Sequence, residues 1–557
     1  MIRIARVKRI LLFATTSLFL ALVSWASGSS ASLIEQDARL GIISPDEATI
    51  YKALAFVRPA ALPTKYRDTT AVPGKCATDE VREAMKVILS DPDRYGAYKE
   101  IMSRPITQAV FSSGRGYFWL HYDTTGNNAV PVADADHDGF PDFVERAGAY
   151  ADSCWRYDVN DLGHLPPPSD ATLGGGVNKY DIYFQSINVY GYTQAESPGP
   201  NAWNDYSSHI VVHCNFVGFP PNQDPEGDAL GALKVTIAHE FYHAVQFAYD
   251  VGEEIYFMEQ SSTWMEDMVF PEVNDNYNYL PYFYAVPQVG LQATDNHEYG
   301  AFVWPKFLQE RFGAKALRDI WTECRFSSAI GAWHYVLDTL GSSLEDEFVR
   351  FLIWNYHTGD RATPGTFASG ADYPQVHVMR YSETIPDSNR NSIEPPEPFA
   401  SNYIVINNYS GLRGILTFDF TGMVTATWGL GYVVDYGSGQ YADFIQTAFQ
   451  GTNAKIYIPH FENVLRVIFI PGVTSSYGSA YNYSYHLYWR LPGDFNDDGS
   501  IDVSDAIAGI QYIFSGGPPP EPREAMDANC DGSNDVSDVT YLIGFIFNGG
   551  PAPCRER

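Results

Sequence analysis

The first hydrophobic pattern along the chain lies at its amino terminus. Four basic residues within the first nine precede a mainly apolar run at 10–23, and small residues follow at 26–32. This order predicts a signal peptide over residues 1–32. The run is shorter than the roughly 20 residues that a membrane span needs, and no later segment is long and apolar enough. We therefore expect a secreted mature chain without a transmembrane span, with an uncleaved anchor as the alternative.

The next two regions differ in their periodicity. Residues 33–108 mix short helical patterns with prolines, which predicts a helical N-terminal region or a propeptide. Over residues 109–390, strand-like runs such as 180–184 and 210–212 alternate with longer helical periods. That mixture favours one α+β domain.

The sequence pattern changes twice in the carboxyl-terminal part. Short runs rich in Ile, Val, Tyr and Phe, such as 415–420 and 464–470, predict an all-β sandwich over residues 398–490. Residues 493–554 then repeat themselves, because the pattern at Asp494 recurs at Asp527 with the same Gly-Gly-Pro ending. A duplicated small module therefore closes the sequence.

One helical pattern in the α+β region carries candidate chemistry. An apolar stripe predicts an amphipathic helix that ends at Gly252, and His239 and His243 lie on another of its faces. Histidines four residues apart project side by side and can bind one Zn²⁺. Zn²⁺ lowers the pKa of water that it binds, and Glu240 beside the histidines can accept the proton as the water attacks a carbonyl carbon. The pattern therefore predicts peptide hydrolysis, whereas two surface histidines on a helix are the structural alternative.

A second helical stretch, residues 256–268, supplies the third ligand. It places Glu259 and Glu266 on one face, and a helix returning antiparallel to the first can deliver a carboxylate to the metal. We assign Glu259 as the third zinc ligand. Glu266 is the competing ligand or a group that orients a zinc-bound imidazole.

These residues resemble the gluzincin metallopeptidases, in which HExxH is followed by a glutamate on a second helix. The resemblance covers the two active-site helices, and Gln260 stands where the clan usually has glycine. It implies a zincin-like fold and a protein or peptide substrate. It also suggests Tyr299 as a catalytic oxyanion donor and the stretch 208–214 as an edge strand for the substrate, although a buried tyrosine and an ordinary core strand would look the same.

The formal charge of −31, from 36 basic and 67 acidic residues, excludes nucleic acid as a favoured partner. Much of the acid is clustered in loops whose spacing fits Ca²⁺. The first loop offers Asp134, Asp136, Asp138, Phe140, Asp142 and Glu145. The terminal repeat offers Asp494, Asn496, Asp498, Ser500, Asp502 and Asp505, and then Asp527, Asn529, Asp531, Ser533, Asp535 and Asp538.

The terminal repeat resembles the type I dockerin family. Each of its loops precedes a single apolar helix, at 506–514 and 539–547, and has Asp at its last ligand position. The resemblance implies calcium-dependent folding and docking to a cohesin-like scaffold protein, with a polysaccharide or a cell surface as further candidate partners. A calcium-stabilised tail without a cohesin partner is the alternative.

The chain has six cysteines, which fits disulfide bonds in an oxidising compartment. Cys530 and Cys554 bracket the second repeat and are expected to pair. Cys76 is expected in a disulfide, with the alternative that a propeptide thiolate occupies the open zinc position and keeps the enzyme latent.

The sequence thus predicts a multidomain, secreted zinc endopeptidase. An α+β zincin-like metallopeptidase domain precedes an all-β sandwich and a small α-helical dockerin-like module, with Zn²⁺ and Ca²⁺ as cofactors. One alternative is a calcium-dependent extracellular binding or adhesion protein with a vestigial zinc site. Another is a scaffold-assembled hydrolase of a glycan-linked ester, for which the sequence has no separate nucleophile motif.

Overall fold

The computed structural model describes residues 30–67, 73–171, 173–175, 179–382, 387–408, 414–450 and 453–554. Most of the predicted signal peptide, residues 1–29, lies outside the described residues. The chain divides into two compact units, Met1–Asn278 with Phe312–Ala332 and Tyr279–Arg311 with Trp333–Arg557. None of the helices in the described part has the length and hydrophobicity to cross a lipid bilayer.

The described residues form helices and strands of widely differing length. The helices, in chain order, are α1 Ser30–Arg39, α2 Pro45–Val57, α3 Thr78–Ser90, α4 Pro92–Tyr95, α5 Asp142–Trp155, α6 Asp228–Gln246, α7 Ile255–Val269, α8 Leu280–Tyr284, α9 His297–Gly300, α10 Val303–Phe312, α11 Lys315–Glu323, α12 Ala329–Thr339, α13 Leu344–Tyr356, α14 Val503–Ser515 and α15 Val536–Asn548. The strands are β1 Gly74–Cys76, β2 Ala109–Ser112, β3 Phe118–Tyr122, β4 Tyr180–Gln185, β5 Val189–Pro198, β6 Tyr206–His213, β7 Arg380–Ser382, β8 Asp387–Asn391, β9 Ile404–Asn407, β10 Ile415–Gly422, β11 Thr427–Gly437, β12 Gln440–Gln450, β13 Asn453–Ile458, β14 Arg466–Val473 and β15 Tyr483–Arg490.

The first unit contains a six-stranded mixed sheet in the order β1-β5-β6-β4-β3-β2. Strand β5 runs antiparallel to β6, whereas β1 pairs parallel with β5 and places Cys76 opposite Gly191. The predicted edge strand at 208–214 overlaps β6 over residues 208–213, and β6 lies between β5 and β4. That prediction is wrong, because β5 and the short strand β1 cover this side of the sheet.

The N-terminal helices pack against strands β5 and β6 of this sheet. Their apolar residues, such as Val81 and Ile88 of α3, share one core with Val189 and Tyr192 of β5 and Val211 of β6. A capping box starts α2, since the Ser44 side chain accepts from the Glu47 amide and Glu47 reaches back to the Ser44 amide. The segment predicted as residues 33–108 is therefore continuous with the core of the first unit.

Helix α6 is buried on every side from Gly231 to Gln246, although its pattern predicted an amphipathic helix. Gly191 permits this close packing against the sheet, since a Cβ atom there would lie 2.9 Å from Cγ of Glu240 and 2.9 Å from Cγ2 of Thr236. The helix ends at Gln246, before the predicted Gly252, and turn residues follow.

The second unit holds the predicted β-sandwich. A four-stranded sheet, β13-β10-β15-β8, faces a five-stranded sheet, β12-β11-β14-β9-β7. The two sheets share one core, where Phe418 of β10 stacks on Phe469 of β14 with ring centroids 4.1 Å apart. Strand β7 begins at Arg380, so the sandwich starts earlier than residue 398.

Candidate metal centre

Four buried side chains converge where α6, α7 and β1 meet in the first unit. Donor atoms of Cys76, His239, His243 and Glu259 all lie within 4.8 Å of one another. The two Nε2 atoms are 3.1 Å apart, and the carboxylate of Glu259 approaches them at 2.9 Å from His239 and 3.4 Å from His243. The spacing of four along α6 and the antiparallel return of α7 produce this arrangement.

Hydrogen bonds at the opposite ring nitrogens orient both imidazoles. Nδ1 of His239 lies 2.8 Å from Oε1 of Glu266, and Nδ1 of His243 lies 2.8 Å from Oε1 of Gln246. Because both oxygens are acceptors, each Nδ1 donates a hydrogen bond to its partner, and loss of the proton from Nε2 would leave that nitrogen to bind a metal. The sequence left Glu266 open as the third ligand or as a group that orients an imidazole. In the structure it contacts His239 at Nδ1, on the far side of the ring from Nε2.

Gln246 also ties α6 to α7. Its Nε2 donates to the carbonyl of Met258 at 3.0 Å and to the hydroxyls of Ser261 and Ser262 at 3.1 and 3.0 Å. The amide is fully buried. The small residues after Glu259 therefore leave room for a rigid bridge between the two helices, and that bridge fixes the ligand geometry.

Glu240 lies on α6 beside the donor atoms. Its Oε2 accepts from the hydroxyls of Thr193 at 2.8 Å and Thr78 at 3.2 Å. Burial raises the pKa of this carboxyl, and the charges of His239 and His243 oppose the rise. A carboxylate of raised pKa beside a metal site can serve as a general base near neutral pH.

The electrostatics of the cluster favour a cation. Burial lowers the pKa of His239, but hydrogen bonds to Glu259 and Glu266 outweigh it and raise that pKa to about 10. Burial acts upward on Glu259, yet the adjacent histidines hold the pKa of its carboxyl well below the usual range. Buried carboxylates around two imidazoles need positive charge for compensation. The donor set of two nitrogens, a carboxylate and a sulfur suits Zn²⁺ or another borderline divalent metal.

Cys76 was expected in a disulfide, and that expectation is wrong. The residue is unpaired and buried, with its Sγ 3.6 Å from Nε2 of His243. Cys154, Cys214 and Cys324 are unpaired as well, whereas Cys530 and Cys554 form the expected disulfide. The fold places this thiol beside the two histidines and Glu259.

Tyr299, the predicted oxyanion donor, lies in α9 and belongs to the second compact unit. Its buried ring packs on Tyr279, with ring centroids 5.3 Å apart. The catalytic assignment of Tyr299 stays a prediction.

The first acidic loop precedes α5 in the first unit. Its carboxylates form two overlapping groups with donor oxygens within 4.8 Å, Asp134 with Asp136 and Asp142, and Asp136 with Asp138 and Glu145. The amide of Phe140 donates to Asp138 at 2.9 Å, which places Phe140 in the same tight turn. Gly139 provides this turn with a φ of 96°. The arrangement can hold a Ca²⁺ ion.

The two terminal loops have matching hydrogen bonds. In the first, Gly499 donates to Asp494 at 3.1 Å and Asp502 donates to Asp505 at 2.8 Å. The equivalent bonds of the second are 3.0 Å to Asp527 and 2.9 Å to Asp538. Helices α14 and α15 follow the loops and share a small core. This is a module of two calcium loops, each with one helix.

Family comparisons agree with that class for the end of the chain. Residues 492–547 match the Dockerin type I domain, so the terminal module is a dockerin. Dockerin domains bind calcium, pair with cohesins and occur in extracellular proteins of the cellulosome type. Residues 228–357 match a family of unknown function, DUF6055. That match begins at the first residue of α6 and includes His239, His243 and Glu259.

No curated protein matched the sequence. Among solved structures, the chain is similar to the crystal structure of Yersinia pseudotuberculosis-derived mitogen (YPM) at 17% sequence identity, with 21% of this chain and 94% of that chain covered. The TM-score is 0.16, so the likeness carries no argument about fold or function.

Proposed function

We propose that the protein is a secreted zinc-dependent peptidase that its dockerin module tethers to a cohesin-bearing scaffold. One observation carries the proposal, namely the convergence of His239, His243 and Glu259 beside the carboxylate of Glu240. Orientation of both imidazoles by Glu266 and Gln246 supports a metal site over two incidental histidines.

Different residues of the chain have different roles in the proposed hydrolysis. His239, His243 and Glu259 hold the ion. When bound, Zn²⁺ supplies a Lewis acid that polarises the substrate carbonyl and lowers the pKa of water to roughly 7. Glu240 accepts the proton of the attacking water and returns it to the leaving amine. Thr193 keeps the Glu240 carboxylate in place through its 2.8 Å hydrogen bond.

The tether has a separate physical basis. Both dockerin loops carry carboxylates at matching positions, and Ca²⁺ binding would offset their mutual repulsion. Attachment to a scaffold raises the effective concentration of an enzyme near substrates on the same assembly. Proteins attached to polysaccharide or to a cell surface are the substrates that this arrangement favours.

A second candidate is a calcium-dependent extracellular binding protein whose metal site is structural. The closed set of four donors favours it, because structural zinc sites are closed and catalytic sites keep an open position. The β-sandwich would then be the binding domain.

Zinc content and casein hydrolysis, measured with calcium present, separate these candidates. The full chain is compared with Glu240→Gln and Glu259→Ala, each examined as purified and after treatment with an organomercurial, which binds free thiols such as Cys76. A peptidase binds one zinc per chain, loses about 100-fold or more of its activity in Glu240→Gln with zinc retained, and loses the metal in Glu259→Ala. Bound zinc without hydrolysis in any form, or activity that survives Glu240→Gln, would reject the peptidase.

A further inference from the structure

The segment that contains β1 reaches each part of the metal centre. Cys76 Sγ lies 3.6 Å from Nε2 of His243, and Thr78 donates to Oε2 of the candidate base Glu240 at 3.2 Å. Lys75 Nζ donates to Oε2 of Glu266 at 2.9 Å and to Oδ2 of Asp275 at 2.6 Å. Residues within one short stretch thus touch a metal ligand, the base and the carboxylate that orients His239.

Backbone pairing holds this segment against β5. The amide of Gly74 donates to the carbonyl of Asn188 at 3.0 Å, and the amide of Ala77 donates to the carbonyl of Gly191 at 3.2 Å. The outer edge of β5 at this point is therefore occupied. An extended peptide that used this edge for main-chain recognition would need the hydrogen bonds that β1 now makes.

The donor groups are inaccessible with the segment in place. His239 and Glu240 are each 1% exposed, and Glu259 is 2% exposed. A substrate carbonyl cannot approach a metal ion held there. Displacement of β1 would uncover both the side of the donor cluster next to Cys76 and the edge of β5.

We infer that the Cys76 thiolate is a fourth metal ligand and that β1 is an inhibitory strap, which keeps the enzyme latent until it is displaced. This inference rests on the proposed peptidase function. The strap fills the coordination position that a catalytic metal leaves open, and its backbone fills the peptide-binding edge. Lys75 anchors the strap through ion pairs that are almost completely buried.

Cobalt substitution tests the ligand directly. Co²⁺ bound by a thiolate has an intense near-ultraviolet charge-transfer absorption, whereas Zn²⁺ has a filled d shell. The full chain is compared with Cys76→Ala and with Cys154→Ala, a control that removes another buried, unpaired cysteine. We expect all three to bind one metal ion, with the thiolate absorption in the wild type and the control and its loss in Cys76→Ala.

Hydrolysis of casein by the zinc forms tests the strap. If the open state is the minor one, Cys76→Ala raises activity about tenfold or more over the wild type, and Cys154→Ala does not change it. If Cys76→Ala fails to fold, an organomercurial applied to the wild type and to Cys154→Ala should give the same activation in both.

The outcomes separate this inference from the function on which it rests. Hydrolysis that depends on Glu240 without thiolate absorption in the wild type overturns the strap and leaves the peptidase. A thiolate absorption in the wild type, with no hydrolysis either in Cys76→Ala or after mercurial treatment, overturns both and assigns a closed structural site. Absence of bound metal in every variant also overturns both.

Discussion

Nδ1 of His239 lies 2.8 Å from Oε1 of Glu266, which follows Glu259 by two turns of α7. The other oxygen of the same carboxylate accepts from Lys75. Glu266 therefore fixes the imidazole and connects the metal centre to β1. Charged partners at the far nitrogen raise the basicity of a metal-binding histidine.

Glu266→Gln should weaken zinc binding about 10- to 100-fold, because the amide keeps the size of the side chain and loses its charge. Competition with a chromophoric chelator measures the affinity. Glu272→Gln is the matched control, since Glu272 is 43% exposed and pairs with Lys234 outside the cluster. An affinity equal to that of the wild type in Glu266→Gln would show that this carboxylate does not tune the metal.

The local parts of the centre could be predicted from sequence, and the long-range part could not. The spacing of His239 and His243 on one helix and the position of Glu259 on the next depend only on helical periodicity. Cys76 reaches the cluster through parallel pairing of β1 with β5, between residues far apart in sequence. A strand of three residues has no hydrophobic period that would show this pairing.

Burial was misjudged for a related reason. The polar residues His239, His243 and Gln246 form a second face of α6 and give the sequence an amphipathic pattern, yet they are buried because they bind one another and α7. The sheet edge at β6 was misplaced because strand order is a property of the fold, and residue type does not reveal it. The dockerin loops could be predicted from the sequence because they are repeated within the chain, and a chance match would not recur at equal spacing.

Asp158 gives a prediction for pH-dependent stability. The side chain is 0% exposed, and among the described residues neither carboxylate oxygen has a hydrogen-bond partner. Burial raises the pKa of this carboxyl well above its ordinary value. The folded state therefore holds a proton that the unfolded state releases above pH about 3.9, so stability falls as pH rises from there toward the folded pKa.

Asp158→Asn removes this ionisation. We expect the substitution to raise the free energy of unfolding more at pH 8 than at pH 5. The difference between the two gains should be about 1.4 kcal/mol for each pH unit between pH 5 and the folded pKa, counted up to pH 8. Urea unfolding at both pH values measures the gain. Asp161→Asn is the control, because Asp161 is 56% exposed and should change stability by less than about 0.5 kcal/mol. Equal gains at both pH values would contradict titration of Asp158 as the cause.

Only the second of the two dockerin repeats contains a disulfide bond. The two loops have matching hydrogen bonds, but the Cys530–Cys554 disulfide links only the second loop, from within it, to the chain after α15. A closed loop with a sequence separation of 24 stabilises by about 3 kcal/mol through the entropy of the unfolded chain. Removal of Ca²⁺ leaves clustered carboxylates in both loops, and the first has no covalent link to offset their repulsion.

We therefore expect chelation of Ca²⁺ in the full chain to reduce amide protection more in α14 than in α15, as measured by hydrogen exchange with mass spectrometry. Reduction of the disulfide should remove this difference, because α15 then depends on Ca²⁺ to the same extent. Within the calcium-bound protein, Asp505→Ala and Asp538→Ala should each lower the calcium stoichiometry by one ion. Equal loss of protection in α14 and α15 with the disulfide intact would show that the shared core, which both helices form, outweighs the covalent link.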